Sequence, residues 1–406
     1  MTIFTAGIIA LVFAWVSFKK PVWGFAAVLA LLPVYLIRLT VLNLPTTLLE
    51  FMILGFLAGF AVSRPDYKKL FSLGKIHWAV GLFLLAAIIG TLVSPEKGRA
   101  LGQLKAFFVE PILLFYAAIL LLQEKQNLKL AMQSLLFSAA TLSLFGLFQS
   151  VTYLGLPIRF WGSGLEPQRI VSLFEYPNAL ALFLAPLIGL FFTLELKNYH
   201  LFEEKWVTRT CLTLMAVALL LTFSRGAWIA VLITLGLLLL KNIGLKKTGL
   251  VAAGILILGF LLPELRERIL SGISDPSARA HWDLMTVGIN KVLQSPFLGN
   301  GLYGFRTTLE QSTFTGEILN YPHNIFLNFW LEIGLLGLLA FGWIINLALH
   351  QQKKHLSVPA LAASSFLLIV ILHGLVDAPY FKNDLAILFW FAISLFYITP
   401  AEHKTV

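Results

Sequence analysis

The sequence predicts an all-α, polytopic integral membrane protein of about 12–13 transmembrane helices, with one large extracytoplasmic loop containing short helices. Three observations carry that prediction. Of 406 residues, 58% are hydrophobic and only 12% charged, with a mean hydropathy of +0.85. Apolar runs near the length that spans a bilayer recur from end to end, and helices satisfy their own backbone groups inside lipid. The runs are continuous rather than alternating, which excludes an outer-membrane β-barrel.

Thirteen candidate spans follow in order: 3–18, 22–37, 46–62, 77–93, 106–122, 130–154, 178–196, 207–223, 226–240, 249–262, 324–349, 358–376 and 385–399. The first, Ile3–Phe18, lacks a basic leader and a small-residue cleavage site, so it is expected to be a retained helix. The chain is expected to form one polytopic membrane domain over residues 1–406.

Basic residues set the orientation, because they favour the cytoplasmic side. Alternate short loops carry Lys19 and Lys20; Arg64, Lys68, Lys69 and Lys75; Lys125 and Lys129; Lys197, Lys205 and Arg209; Lys241, Lys246 and Lys247; and Lys353 and Lys354. With Lys404 they hold more than half of the 30 Lys and Arg. The N-terminus is therefore expected outside, the C-terminus inside, and the long loop 263–322 outside. Losing one early span would give twelve helices with an inside N-terminus. On this topology Arg159, Arg169, Arg225, Arg279, His323 and Asp377 all fall at the outer face. Arginines placed against the charge rule call for an anionic ligand.

Loop 263–322 is too long for a connector. Ser274-Asp275-Pro276-Ser277 has the composition of a helix start. Trp282, Met285, Ile289 and Val292 then recur at helical spacing, as in an amphipathic surface helix. Gly299-Asn300-Gly301 and Gly304 mark tight turns. No strand precedes these glycines, so they do not form a dinucleotide loop.

Other classes are excluded by composition. The net charge of +10 is spread over topology-setting loops, with no basic cluster among aromatic readers, so no nucleic-acid partner is expected. The single cysteine, Cys211, allows neither a disulfide framework nor a cysteine metal site. There is no His-Glu-x-x-His motif, Asp-x-Asp motif or carboxylate cluster, so no metal and no cofactor are expected.

Two segments concentrate the candidate chemistry. Ser224-Arg225-Gly226 divides an apolar stretch from Val207 to Leu240 into halves of about 15–17 residues, roughly 22–25 Å at helical rise. The turn is therefore sunk below the outer surface, where a guanidinium fork would match phosphate oxygens in pairs. A snorkelling arginine at a hairpin tip is the alternative. Tyr321-Pro322-His323-Asn324 stands at the lip of the run that contains Gly334 and Gly337, a pair suited to close helix packing. Imidazole suits proton abstraction near neutral pH, although an interfacial structural histidine is the alternative. Asp377 is placed either to orient that histidine or to pair with an arginine. Arg279 stands four residues before Asp283, the spacing of an ordinary helical ion pair. Arg169 lies in the loop Glu166-Pro167-Gln168-Arg169, and Glu50, Glu110 and Glu332 read as helix-packing or counter-ion carboxylates.

These residues together resemble the O-antigen ligase and Wzy-type polymerase superfamily. His323-Asn324 followed by Gly334-x-x-Gly337 is similar to its signature, and Leu221-Thr222-Phe223-Ser224-Arg225-Gly226-Ala227 to its Ser-Arg-Gly block. Arg279, Trp282, Pro296, Gly299-Asn300-Gly301 and Gly304-Phe305 resemble the block in its large outer loop. Arg169 with Asn178, Leu180 and Ala181 resembles an earlier block. The likeness runs from about residue 165 to 380, whereas residues 1–120 share only hydropathy.

The resemblance implies an inverting membrane glycosyltransferase of the bacterial inner membrane, working at its periplasmic face. The implied donor is a glycan on polyprenyl (undecaprenyl) diphosphate; the acceptor is a hydroxyl on lipid A-core or on another glycan. It implies that Arg225 and Arg279 grip the diphosphate, with Arg169 as a further donor contact. His323 would activate or orient the acceptor hydroxyl, and Asp377, Asn324 and Ser224 would support the site. Two guanidiniums could stabilise the leaving diphosphate without a metal. A polysaccharide polymerase carries the same motifs. A protein-directed oligosaccharyltransferase fits less well, since no soluble domain is expected after the last span. A lipid-linked glycan flippase, a different class, would call for internal repeats and charges along a transmembrane path, and neither is visible.

Overall fold

A computed structural model describes residues 3–41, 44–163, 167–261, 263–270, 276–311 and 319–398. The chain is mostly helical, and the apolar runs become helices in the expected order. The N-terminal part holds α1 (Ile3–Lys19), α2 (Pro21–Ala30), a 3₁₀ turn (Leu32–Leu36), a small antiparallel hairpin of β1 (Arg38–Val41) and β2 (Leu44–Thr47), and α3 (Leu48–Val62). A second 3₁₀ segment (Tyr67–Leu73) leads to α4 (Ile76–Val93), α5 (Lys97–Gln103), α6 (Glu110–Leu121) and α7 (Lys125–Thr152). A π-turn over Leu104–Val109 joins α5 to α6 just before Pro111, so the two form one continuous span despite the missing proline donor. Then come α8 (Pro177–Leu196), α9 (Lys205–Leu221), α10 (Arg225–Leu261), α11 (Pro263–Leu270), α12 (Pro276–Gln294), α13 (Gly304–Glu310), α14 (Ile325–Lys354), α15 (Val358–His373) and α16 (Asn383–Ser394). Ser274 and Asp275, expected to start α12, lie outside the described residues, as do Glu166 and Lys404.

Among the described residues, six helices are long and apolar enough to cross a bilayer, seven if the bent pair of α3 and the 3₁₀ segment Tyr67–Leu73 is one span. Four shorter apolar helices (α1, α2, α15 and α16) accompany them among the described residues. The spans expected at 226–240 and 249–262 join as α10, which breaks at Gly244.

An aromatic core holds the C-terminal helices together. Phe83, Phe108, Phe329, Phe341, Tyr380, Phe389 and Trp390 interlock edge to face or tilted, the geometry that ring quadrupoles favour. The Tyr380 hydroxyl donates to the Phe107 carbonyl (2.6 Å) and accepts from the Trp390 indole (3.1 Å). The loop between α15 and α16 is thereby anchored to a rigid floor.

Gly334 has a role that its spacing hid. It adopts φ +70° and breaks α14, and a Cβ there would lie 2.2 Å from the Phe297 carbonyl oxygen. The close approach is to loop backbone rather than to a neighbouring helix. The break exposes main-chain groups that the loop from Phe297 to Gly301 satisfies: Asn300 N–H donates to Leu331 O (2.5 Å), and Leu335 N–H to Phe297 O (3.1 Å). Leu302 N–H then reaches Gly90 O (3.1 Å), while the Ser94 hydroxyl donates to Leu302 O (2.6 Å). Two motifs far apart in sequence thus form one clasp that binds α14 to α4.

Candidate functional site

Several helix ends meet at one end of the bundle. Chain direction brings together the starts of α3, α8, α10, α14 and α16 and the ends of α4, α9 and α15. The ties that hold them are local hydrogen bonds. Asn324 caps α14, its side chain accepting from Leu327 N–H (2.9 Å) and donating to Leu375 O (3.1 Å). Ile325 N–H donates to Gly374 O (2.7 Å), so the α14 start is stitched to the α15 end. The Tyr321 hydroxyl donates to Phe381 O (2.6 Å). The residue between these ties, His323, is held at φ +52°, a left-handed conformation uncommon for a side chain of its size.

That turn sets His323 Nδ1 3.1 Å from Asp377 Oδ1. The carboxylate accepts from Nδ1–H and also from Ala378 N–H (2.8 Å), leaving Nε2 as the free ring nitrogen. Nε2 has no hydrogen-bond partner among the described residues. Burial alone would raise the Asp377 pKa, but the His323 imidazole beside it, helped by His373 and the Ala378 amide, pulls it well below the ordinary carboxylate range. Asp377 is therefore an anion at any physiological pH, fit to fix the tautomer and direction of the ring.

The Ser-Arg-Gly turn approaches from α9 and α10. Phe223 sits at φ +52° where the chain reverses, and Ser224, Arg225 and Gly226 open α10. A Cβ on Gly226 would meet Val376 Cγ2 at 2.7 Å and His373 Cδ2 at 3.1 Å, so only glycine lets the start of α10 lie on the α15 end. Arg225, half-buried, lies within electrostatic reach of His281. Arg169 belongs to the same constellation through backbone. Its Nε donates to Thr222 O (2.8 Å), one of the carbonyls left open at the end of α9, and a terminal nitrogen donates to Asn178 Oδ1 (2.9 Å).

α12 covers the assembly. His281 stacks on His323 with ring centroids 4.0 Å apart and planes 7° from parallel. Burial, reinforced by the neighbouring His323 and Arg225, pushes the His281 pKa down to about 4, although Asp377 and the Val376 backbone oppose the shift. Arg279, two residues earlier on α12, is exposed. The structure thus brings together His323, Asp377, Arg225, Arg169 and Asn324, with Ser224 buried in the turn, and places Arg279 on the covering helix. Its docking face is built from Leu284, Gly288 and Val292 against Leu327 and Leu331, whereas Trp282 and Ile289 point outward.

His281 was not singled out by sequence, because a lone histidine in a loop helix carries no periodic signal. The stack makes it titratable against folding. Its pKa falls from 6.5 to about 4, so between those values the undocked state binds more protons and docking weakens as pH falls. Protection of the α12 amides, corrected for intrinsic exchange, is expected to fall from pH 7.5 to pH 5, and His281→Phe to remove much of that dependence. A pH-independent rate of opening, once intrinsic exchange is allowed for, would refute the linkage.

The intramembrane carboxylates divide. Glu50 pairs with Lys105, accepts from Thr46, and accepts from Asn383 Nδ2 (3.2 Å), tying the N-terminal helices to the segment six residues beyond Asp377. The Glu110 carboxylate is buried with no hydrogen-bond partner among the described residues, whereas the Glu332 carboxylate is buried beside the Tyr303 backbone. Arg159 lies over the rings of Phe160 and Tyr176, outside the histidine cluster. Among the described residues no group of three His, Cys, Asp or Glu has a metal-binding arrangement.

Comparison with known proteins gives this constellation a setting. The sequence model of a family described as O-antigen ligase matches residues 210–342, which include Arg225, Arg279 and His323. A curated relative, the O-antigen ligase of Salmonella typhimurium, is 23% identical over 357 residues, covering 82% of this chain and 84% of that protein.

Proposed function

We propose that this chain, a multi-pass membrane enzyme of the O-antigen ligase superfamily, moves a glycan from a polyprenyl diphosphate to a hydroxyl acceptor such as lipid A-core. The observation that carries the reading is the His323–Asp377 pair at 3.1 Å with its Nε2 unpartnered, beside the Ser-Arg-Gly turn. A ring nitrogen that keeps its lone pair, on an imidazole oriented by an anion, can take a proton from a hydroxyl. Arg225 supplies positive charge where a diphosphate would leave, and Arg279 can be delivered by α12. Arg169 holds the turn that presents Arg225, and its backbone contacts support a positioning role alongside donor contact.

In the step proposed, the acceptor oxygen forms the new bond to the anomeric carbon as the carbon–diphosphate bond breaks. The hydroxyl proton passes to His323 Nε2, and the electron pair leaves on the diphosphate, stabilised by guanidinium. Attack from the face opposite the leaving group inverts the anomeric centre. His281 covers His323, so α12 must lift or slide for the hydroxyl to enter.

The lysine-rich loops lie at the far ends of the same helices, which supports a site on the periplasmic face of the inner membrane. A polymerase would use the same groups with a glycan as acceptor. The test is transfer of a labelled glycan from polyprenyl diphosphate in proteoliposomes, with lipid A-core and then glycan as acceptor, with and without chelator. Product on lipid A-core that persists in chelator is expected. No transfer to either acceptor would refute the proposal, transfer only to glycan would make the chain a polymerase, and loss on chelation would refute the metal-free mechanism.

A further inference from the structure

At the opposite end of α3 and α4 from the site lies a groove that the transfer chemistry does not use. α3 runs from the Glu50–Asn383 contact and α4 runs toward the Ser94–Leu302 contact, so their other ends are about 22–27 Å away at helical rise. There the chain bends by 106° out of α3 into the 3₁₀ segment Tyr67–Leu73. A cavity of about 350 Å³ is lined by Tyr67, Leu70, Phe71, His77 and Tyr116. It continues, through Tyr67, Leu70 and Tyr116, into one of about 330 Å³ that passes between α3 and α6 along Leu57, Phe60, Leu113 and Leu120.

The walls are apolar, and their deeper polar atoms engage one another. The Leu70 carbonyl accepts from His77 Nε2–H (2.8 Å), which leaves Nδ1 to accept the Tyr116 hydroxyl proton (3.0 Å). A single phenol hydroxyl, that of the exposed Tyr67, is a sparse donor set for a sugar. The rim, in contrast, is cationic. Arg64, Lys68, Lys69 and Lys75 are exposed, with only Asp66 as an acidic neighbour in that loop. None of the four makes an ion pair among the described residues. Tyr67, Phe71 and Trp78 are exposed at the same level, 48, 84 and 74% respectively, as aromatic side chains are at a membrane–water boundary.

We propose that this groove binds an anionic phospholipid, its acyl chain lying between α3, the 3₁₀ segment and α6, and its headgroup among Arg64, Lys68, Lys69 and Lys75. An apolar slot that opens beside four unpaired cations matches both halves of such a lipid, whereas a zwitterionic headgroup would gain little from them. The bound chain would brace the bend that follows α3, on the membrane face opposite the His323 site.

The full chain in detergent would be offered equal amounts of phosphatidylglycerol and phosphatidylcholine, and bound lipid counted by native mass spectrometry. Preferential retention of phosphatidylglycerol is expected. Lys68→Gln with Lys69→Gln should weaken it about tenfold or more. Leu113→Trp, which adds bulk at a groove-lining position that is 44% exposed, should weaken it without changing charge. These are surface positions, and unaltered thermal unfolding before lipid is added would confirm an intact fold. Equal retention of both lipids, or full retention by the Leu113→Trp protein, would overturn the proposal; the latter would mean that a free surface charge cluster attracts the lipid without the groove. Inorganic phosphate in excess should not displace the lipid, and displacement would equally overturn a site that depends on the acyl chain.

Discussion

His323→Ala is expected to lower glycan transfer by about 10²–10⁴-fold, the range that a positioned general base supplies. The loss should fall mainly on kcat, because the ring's proton transfer belongs to the transition state rather than to binding. Asp377→Asn should reproduce part of that loss. The amide can still contact Nδ1, but it brings no charge and can impose the wrong tautomer by donating to the ring. A His323→Ala protein that transfers at full rate would end the assignment, and full-rate transfer by Asp377→Asn would reduce Asp377 to a packing group.

Arg225→Lys is expected to cost about 10²-fold in kcat even though the charge remains. A lysine offers a point charge on a flexible stem, whereas the guanidinium presents two parallel donors to two phosphate oxygens. Placement matters as much as chemistry. The Gly226 backbone lies against His373 and Val376, and Arg169 is bonded to Thr222 O, so the direction in which residue 225 leaves the turn is fixed. The Arg225→Ala protein should lose more than the lysine variant while still binding acceptor. If Arg225→Lys matched wild type, the diphosphate would have to be gripped elsewhere, and Arg279 on α12 would be the next residue to test.

Much of this was legible in the chain itself. Apolar runs located the helices because a bilayer demands both length and hydropathy, and the lysine-rich loops gave consistent sides. The Ser-Arg-Gly and His-Asn segments stood out because polar residues at the lips of apolar runs are costly and hence informative. Less legible was which face of α12 would dock. Its periodicity pointed to Trp282, Met285, Ile289 and Val292, yet Trp282 and Ile289 are outward and Leu284, Gly288 and Val292 meet α14. A helix between lipid and protein has two apolar surfaces, and periodicity alone does not say which of them finds protein. Gly334 likewise fitted a packing seam by spacing, but its positive φ makes it a break.

The sequence by itself determined that the protein is a helical membrane protein, roughly where its helices begin and end, and which rare polar residues stand at the lips of its apolar runs. These follow from local composition and period, quantities that each segment carries alone. Only the tertiary structure decided that His323 meets Asp377, that His281 stacks on His323, and that the loop around Gly299-Asn300-Gly301 closes the break at Gly334. Each of those contacts joins residues from separate helices or loops, and each depends on backbone conformations such as φ +52° at His323 and +70° at Gly334. Such contacts are selected by packing of the whole bundle, which no single segment encodes.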